Sequence, residues 1–85
     1  MKVGIIGAGA YGLALAKIFN KNNDVIIWTK LENEYQELKE ERTNKKVLPN
    51  FRLDDNIKIT LDLKEVAQVD LLLIAVPAKF VDSIS

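Results

Sequence analysis

The stretch that decides the fold is KVGIIGAGAYGLALA, residues 2–16, near the start of the chain. It begins with a short apolar run and continues into a turn that is rich in glycine. Behind the turn, apolar residues from Gly12 to Phe19 recur at the i, i+3, i+4 and i+7 spacing of one helix face. The stretch therefore predicts a β-strand, a tight loop and an α-helix in that order.

Glycines in the loop form the pattern G-x-G-x-x-G at Gly7, Gly9 and Gly12. In dinucleotide sites the first of these glycines turns the chain, the second lets backbone amides approach a pyrophosphate, and the third lets the helix lie close to the strand. A helix that begins at the loop also directs its free N–H groups and the positive end of its dipole towards a bound anion. The pattern thus predicts a pyrophosphate site.

The glycine motif alone is compatible with two other interpretations of this stretch. A tight strand-to-helix turn can carry the same glycines and bind nothing. A secretory signal would use Lys2 as its basic end and residues 14–16 (ALA) as its cleavage site. Three glycines inside the apolar run, and an amphipathic pattern that continues through Phe19, disfavour the signal.

The composition limits the chain to one small domain of 85 residues. The 12 basic and 12 acidic residues balance, so there is no cationic excess of the kind that binds nucleic acid. The chain has no cysteine for disulfides and no histidine to serve as a base or metal ligand. No apolar run approaches the roughly 18 to 20 residues that span a bilayer. We therefore expect a cytoplasmic protein without a membrane span.

Further segments continue an alternating β/α pattern. Residues 25–28 (VIIW) are typical of a strand buried in a parallel sheet. Residues 29–32 (TKLE) match a capping box, in which Thr29 and Glu32 each bond the other's backbone, and the helix is predicted to end near Arg42. Residues 57–60 alternate like an edge strand, residues 62–65 (DLKE) start a short helix, and residues 71–76 (LLLIAV) form an apolar strand.

Right-handed crossovers between these strands predict the spatial order 3-2-1-4. The predicted fold class is α/β, a Rossmann-type three-layer αβα arrangement with a parallel sheet. Residues 1–85 would be the N-terminal, incomplete half of this NAD(P)-binding domain. Because the strand at 71–76 would lie at an open edge, we expect the isolated chain to be marginally stable or to self-associate there.

The irregular segment 43–56 is too apolar for a free linker, so we expect it to pack onto the body. Its apolar residues are Val47, Leu48, Phe51 and Leu53. Its basic residues, which could hold a phosphate, are predicted instead to be solvated. They are Lys45, Lys46 and Arg52. Near the end of the chain, Pro77 opens a helical pattern whose apolar side holds Phe80, Val81 and Ile84.

The residues after the second strand bear on the choice between NADP and NAD. An NAD site usually has an acidic residue there to bind the ribose 2′-OH, whereas this chain has Trp28, Thr29 and Lys30. A lysine at a helix start opposes the helix dipole, which suggests that Lys30 binds a phosphate. The alternative is a solvated lysine. The predicted cofactor is NADP or NAD, with NADP favoured.

Several landmarks occur together, in order, in one enzyme family. They are residues 7–16 (GAGAYGLALA), Trp28, residues 47–49 (VLP) with Leu53, residues 59–63 (ITLDL) and residues 75–78 (AVPA). On these landmarks the chain resembles, over nearly all of its length, the N-terminal segment of bacterial NAD(P)-dependent glycerol-3-phosphate dehydrogenase. It departs from that family at Ala10, where a serine is common, and at Leu31, where a second basic residue is common.

The resemblance implies a cofactor-binding role for this chain. The complete enzyme would reduce dihydroxyacetone phosphate with NAD(P)H to sn-glycerol 3-phosphate, a glycerophospholipid precursor, and we expect a homo-oligomer. The family's catalytic lysine and helical substrate domain would lie beyond Ser85, so no residue here is predicted to be catalytic. The predicted cofactor contacts are Gly7, Gly9, Ala10, Tyr11 and Gly12 at the pyrophosphate, Lys30 at the adenosine end, and Val76 and Pro77 further along the sheet edge.

Three alternatives are kept beside this interpretation. The chain could be a non-catalytic nucleotide-binding module, or a fragment of another two-domain reductase, such as a ketopantoate or hydroxyacyl reductase. The landmarks at 47–49 and 75–77 disfavour the second. Tyr11 could also be a ring packed under the loop rather than part of the site.

Overall fold

The computed structural model describes residues 1–45 and 50–75, and strands alternate with helices along this part of the chain. The elements are β1 Lys2–Ile6, α1 Ala10–Phe19, β2 Asp24–Trp28, α2 Glu32–Glu41, β3 Lys58–Thr60, α3 Leu63–Ala67 and β4 Leu71–Ile74. These are the predicted elements in the predicted order, with ends that differ by one or two residues. Predictions for residues 46–49 and 76–85 lie outside the described residues, among them those for Val47, Leu48, Val76 and the helix opened by Pro77.

All strand pairs described are parallel, and the sheet has the order β3-β2-β1-β4. This confirms the predicted Rossmann-type topology. The register places Ile6, the last residue of β1, beside Trp28 of β2 and Ile74 of β4. The carboxyl ends of these strands therefore share one edge of the sheet, and the glycine loop leaves β1 at that edge.

The two faces of β1 pack against different helices. Val3 and Ile5 are fully buried and belong to one core cluster with Leu13 of α1. Gly4, between them, faces α3, because a Cβ at this position would lie only 2.6 Å from the carbonyl oxygen of Val66. Since neighbouring strand residues point to opposite faces, α1 and α3 lie on opposite sides of the sheet. The result is the expected three layers.

The predicted capping box at the start of α2 is wrong. The N-cap is Leu31, which makes no side-chain capping bond. The amide of Thr29 donates to the carbonyl of Thr60 at 3.1 Å, so the chain still runs beside β3 and turns into the helix only afterwards. As a result the Thr29 hydroxyl donates to Glu34, at 2.8 Å, rather than partnering Glu32. The predicted end of the helix is confirmed, since Arg42 is the C-cap.

The segment after α2 packs onto the body, as predicted for its described part. Leu53 is completely buried, and its amide donates to the carbonyl of Arg42 at 2.7 Å. The side chain of Asn20 ties the segment to the end of α1 through Asp54, at 3.0 Å. The basic side chains Lys45 and Arg52 are more than half exposed and pair with Glu41 and Asp55, which agrees with the prediction that they are solvated.

The most apolar strand, β4, lies at one end of the described sheet, as predicted. Leu72 and Ile74 are 43% and 67% exposed. Their partners in the register are Gly4 and Ile6, so both side chains are on the face of the sheet that holds α3. Self-association through this edge stays a prediction. Among the described helices, none is long and apolar enough to cross a membrane.

Candidate functional site

The candidate site is the edge of the sheet where β1 passes through the glycine loop into α1. The loop begins after Ile6, whose carbonyl accepts a hydrogen bond from the amide of Ala75 at 2.8 Å. It ends at Gly9, the N-cap of α1. This edge, at the carboxyl ends of parallel strands, is where Rossmann-type sheets bind their ligands. The three glycines of the motif play different parts in it.

Gly7 makes the turn. Its φ of 118° lies in the left-handed region, which glycine adopts without steric cost. Its amide donates to the carbonyl of Trp28 at 2.9 Å. That N–H group is therefore used inside the protein, and what Gly7 contributes to a pyrophosphate site is the course of the chain.

Gly12 makes the close approach of helix to loop. A Cβ at this position would lie 2.2 Å from the carbonyl oxygen of Gly7 and 3.5 Å from the Cβ of Ala75. The first distance is far shorter than any normal contact, so only glycine fits here. The third glycine of the motif is thus required by packing.

Gly9 has no such structural reason to be glycine. Its backbone is extended, with φ −74° and ψ −175°, which any residue can adopt. Among the described residues, no atom lies within 4 Å of the position that a Cβ at Gly9 would take. The described residues therefore leave the space beside Gly9 open. This is where the second glycine of the motif is expected to let the backbone approach a pyrophosphate.

Four consecutive backbone amides face no acceptor within the described residues. They are those of Gly9, Ala10, Tyr11 and Gly12. The first hydrogen bond of the helix runs from Leu13 to the carbonyl of Gly9, at 3.0 Å, and the N-cap supplies no side-chain acceptor. The first turn of α1 also has no acidic residue. Unpaired N–H groups and the positive helix end together form an anion-binding arrangement.

Tyr11 lies on the outside of the first turn of α1. Its side chain is 68% exposed, so the alternative in which the ring packs under the loop is wrong. Ala10 is also exposed. Both residues thus combine an exposed side chain with a backbone amide that has no acceptor among the described residues.

Lys30 is exposed and lies two residues past the end of β2, at the same edge of the sheet as the loop. It precedes α2, whose first turn contains Glu32 and Glu34. Its contact with the adenosine end of the cofactor stays a prediction. Val76 and Pro77 lie outside the described residues.

Sequence reasoning missed a buried polar network beneath the loop. Asn44 is 1% exposed, and its Nδ2 donates to the carbonyl of Ala8 at 3.2 Å and to Glu34 Oε2 at 3.0 Å. Glu34 Oε1 accepts a hydrogen bond from Thr29 Oγ1 at 2.8 Å. The network joins the end of β2 to the glycine loop. No spacing rule pointed to it, because Asn44 lies 36 positions from Ala8.

Comparison with known proteins gives consistent matches. Residues 2–85 match the family model described as NAD-dependent glycerol-3-phosphate dehydrogenase N-terminus. The chain is 44% identical to glycerol-3-phosphate dehydrogenase (NAD(P)+) of Fusobacterium nucleatum, a match that covers 100% of this chain and 26% of that protein. It is 41% identical to glycerol-3-phosphate dehydrogenase (NAD(P)+) 2 of Lactobacillus delbrueckii subsp. bulgaricus, with 99% and 25% covered.

Solved structures with the same name also match. Glycerol-3-phosphate dehydrogenase from Coxiella burnetii superposes with a TM-score of 0.80 at 33% identity, over 91% of this chain and 24% of that one. The enzyme from Plasmodium falciparum gives a TM-score of 0.82 at 27% identity, over 99% and 27%. The chain thus spans about a quarter of the length of the curated relatives that it matches, 26% and 25% for the two named.

Proposed function

This chain belongs to the family of NAD-dependent glycerol-3-phosphate dehydrogenase N-termini, and on that premise we propose that it is the cofactor-binding part of such an enzyme. The observation that carries the proposal is the run of amides from Gly9 to Gly12, which have no acceptor in the part of the chain that the structure describes, beside a space at Gly9 that no described residue fills. A pyrophosphate needs several such donors and a close backbone approach.

In this proposal each part of the loop has its own task. Gly7 turns the chain, Gly12 admits the helix, and the amides of Gly9, Ala10 and Tyr11 donate to pyrophosphate oxygens. Lys30 lies at the adenosine end and neutralises a 2′-phosphate when NADP is bound. Val76 and Pro77 are proposed to border the cofactor further along the edge. Bound NAD(P)H supplies the hydride, while this chain binds and orients the dinucleotide.

For the complete enzyme we propose the reduction of dihydroxyacetone phosphate by NAD(P)H to sn-glycerol 3-phosphate, in the cytoplasm, as a step towards glycerophospholipids. The names of the curated relatives support this reaction. Residues 1–85 would supply the N-terminal part of the Rossmann domain, and the substrate domain and the catalytic lysine would come from sequence beyond Ser85. A homo-oligomer is proposed for the complete enzyme.

Titration with NADPH and with NADH tests the binding proposal. Trp28 is the only tryptophan of the chain, and its carbonyl holds the amide of Gly7, so its fluorescence reports on the loop. We expect saturable binding with a Kd well below about 1 mM. A Kd of 1 mM corresponds to a binding free energy of about −4 kcal/mol, so the expected value is more negative than this. Adenosine without phosphates, the control, should bind much more weakly. Failure of both dinucleotides to bind below about 1 mM would refute the proposal.

A further inference from the structure

The buried side-chain amide of Asn44 donates a hydrogen bond to the glycine loop. Its Nδ2 has two hydrogens, and among the described residues it donates to the carbonyl of Ala8, at 3.2 Å, and to Glu34 Oε2, at 3.0 Å. A carboxylate and a carbonyl only accept hydrogen bonds, so both contacts require the NH₂ group of Asn44 rather than its oxygen. The orientation of the side chain is thereby determined.

The contact with Ala8 determines the direction of the next N–H group. The peptide between Ala8 and Gly9 is trans and planar, since there is no cis bond among the described residues. In such a peptide the carbonyl and the N–H point in opposite directions. With the Ala8 carbonyl directed inwards to Asn44, the Gly9 amide must point away from the protein interior. That amide has no acceptor in the described residues.

Glu34 and Thr29 hold Asn44 in place. Glu34 accepts from Asn44 with one carboxylate oxygen and from the Thr29 hydroxyl, at 2.8 Å, with the other. Thr29 is itself 97% buried and bonded to Thr60 of the neighbouring strand through its amide. The Asn44 amide that donates to the Ala8 carbonyl is therefore linked to the sheet through Glu34. Both carboxylate oxygens of Glu34 accept hydrogen bonds, one from Asn44 and one from Thr29.

We propose that Asn44 is a positioning residue of the dinucleotide site: by holding the Ala8 carbonyl it aims the Gly9 amide at a phosphate oxygen of the pyrophosphate. This rests on the proposed function. Asn44 does not touch the cofactor, and its effect passes through one peptide plane. Without the contact, the peptide between Ala8 and Gly9 is free to rotate, and the first donor of the loop is no longer preset.

The test separates this role from simple support of the fold. Asn44→Asp removes the donor and sets a second carboxylate against Glu34, so both stability and binding should fall. In the double variant N44D/E34Q, the new glutamine amide can donate to the new carboxylate, which restores the link between the two positions. The Ala8 carbonyl still has no donor. Asn22→Asp, at an exposed position in the turn between α1 and β2, away from the glycine loop, is the control for the change in charge.

We expect the double variant to regain most of the lost melting temperature yet bind NADPH about tenfold more weakly than the wild type. The NMR signal of the Gly9 amide in the ligand-free double variant should shift, whereas Asn22→Asp should leave the melting temperature, the NADPH affinity and this signal unchanged. Affinity for NADPH within about twofold of wild type in the double variant would overturn the inference and leave the proposed function standing.

If the wild type binds neither NADPH nor NADH, the proposed function fails. The NMR signal of the Gly9 amide then tests by itself whether Asn44 orients that amide. An unchanged signal in the double variant then overturns that role. A shifted signal supports it.

Discussion

Replacing Gly9 by alanine should separate binding from folding. Within residues 1–45 and 50–75 the new Cβ would meet no atom within 4 Å, and the backbone at φ −74° suits alanine. Alanine also reduces the freedom of the unfolded chain, which offsets its weaker capping, so we expect stability within about 1 kcal/mol of wild type. On the proposed function, the methyl group would nevertheless occupy the space through which a pyrophosphate reaches the amides.

Gly12→Ala is the matched comparison, because the same methyl group meets the protein itself. Its Cβ would lie 2.2 Å from the carbonyl oxygen of Gly7, so the helix must move by roughly 1 Å. Overpacking of this kind costs about 1–3 kcal/mol. For a domain of this size, each kcal/mol lowers the Tm by about 4–8 °C. We therefore expect Gly12→Ala to melt at least about 4 °C below the wild type, and Gly9→Ala close to it.

Circular dichroism melting and NADPH titration, followed by Trp28 fluorescence, measure the two properties on the same samples. Gly9→Ala should bind NADPH at least about tenfold more weakly, which is a loss of about 1.4 kcal/mol, while keeping its melting temperature. If Gly9→Ala melts as early as Gly12→Ala, then Gly9 is needed for folding. If it binds as tightly as the wild type, the open space beside Gly9 is not where the ligand lies. Either result would refute the reasoning.

Other substitutions test separate parts of the structure. The hydroxyl of Thr43 is buried without a hydrogen-bond partner among the described residues, so Thr43→Val should raise the free energy of unfolding by about 1 kcal/mol in denaturant titrations. Thr60→Val should lower it by a similar amount, about 1 kcal/mol, because that hydroxyl donates to Glu65 and accepts from an amide. Lys30→Ala should weaken NADPH binding up to about fivefold at low salt and spare NADH, and equal losses for both would contradict a 2′-phosphate contact. Leu53→Ala should destabilise the protein by about 2–5 kcal/mol, since the side chain is fully buried; a smaller loss would mean that its segment packs loosely.

The order of strands and helices could be predicted because its signals are local. A short apolar run ends at Ile6, apolar residues repeat at the period of a helix from Gly12, and the intervening glycines mark the loop. Parallel strands with right-handed crossovers then leave few possible sheet orders. The capping box failed for a non-local reason, since the bond between Thr29 and Thr60 extends the sheet and delays the helix.

By itself, then, the sequence determined the Rossmann-type topology and the location of the candidate site, since both follow from the spacing of neighbouring residues. Only the tertiary structure distinguished the three glycines of the motif. Gly7 makes the turn, Gly12 packs closely against the carbonyl of Gly7, and Gly9 lies beside a space that no described residue fills. The tertiary structure alone placed Asn44 under the loop. Hydrogen bonds between residues far apart in the chain depend on how the layers pack, and no periodicity along the sequence records that geometry.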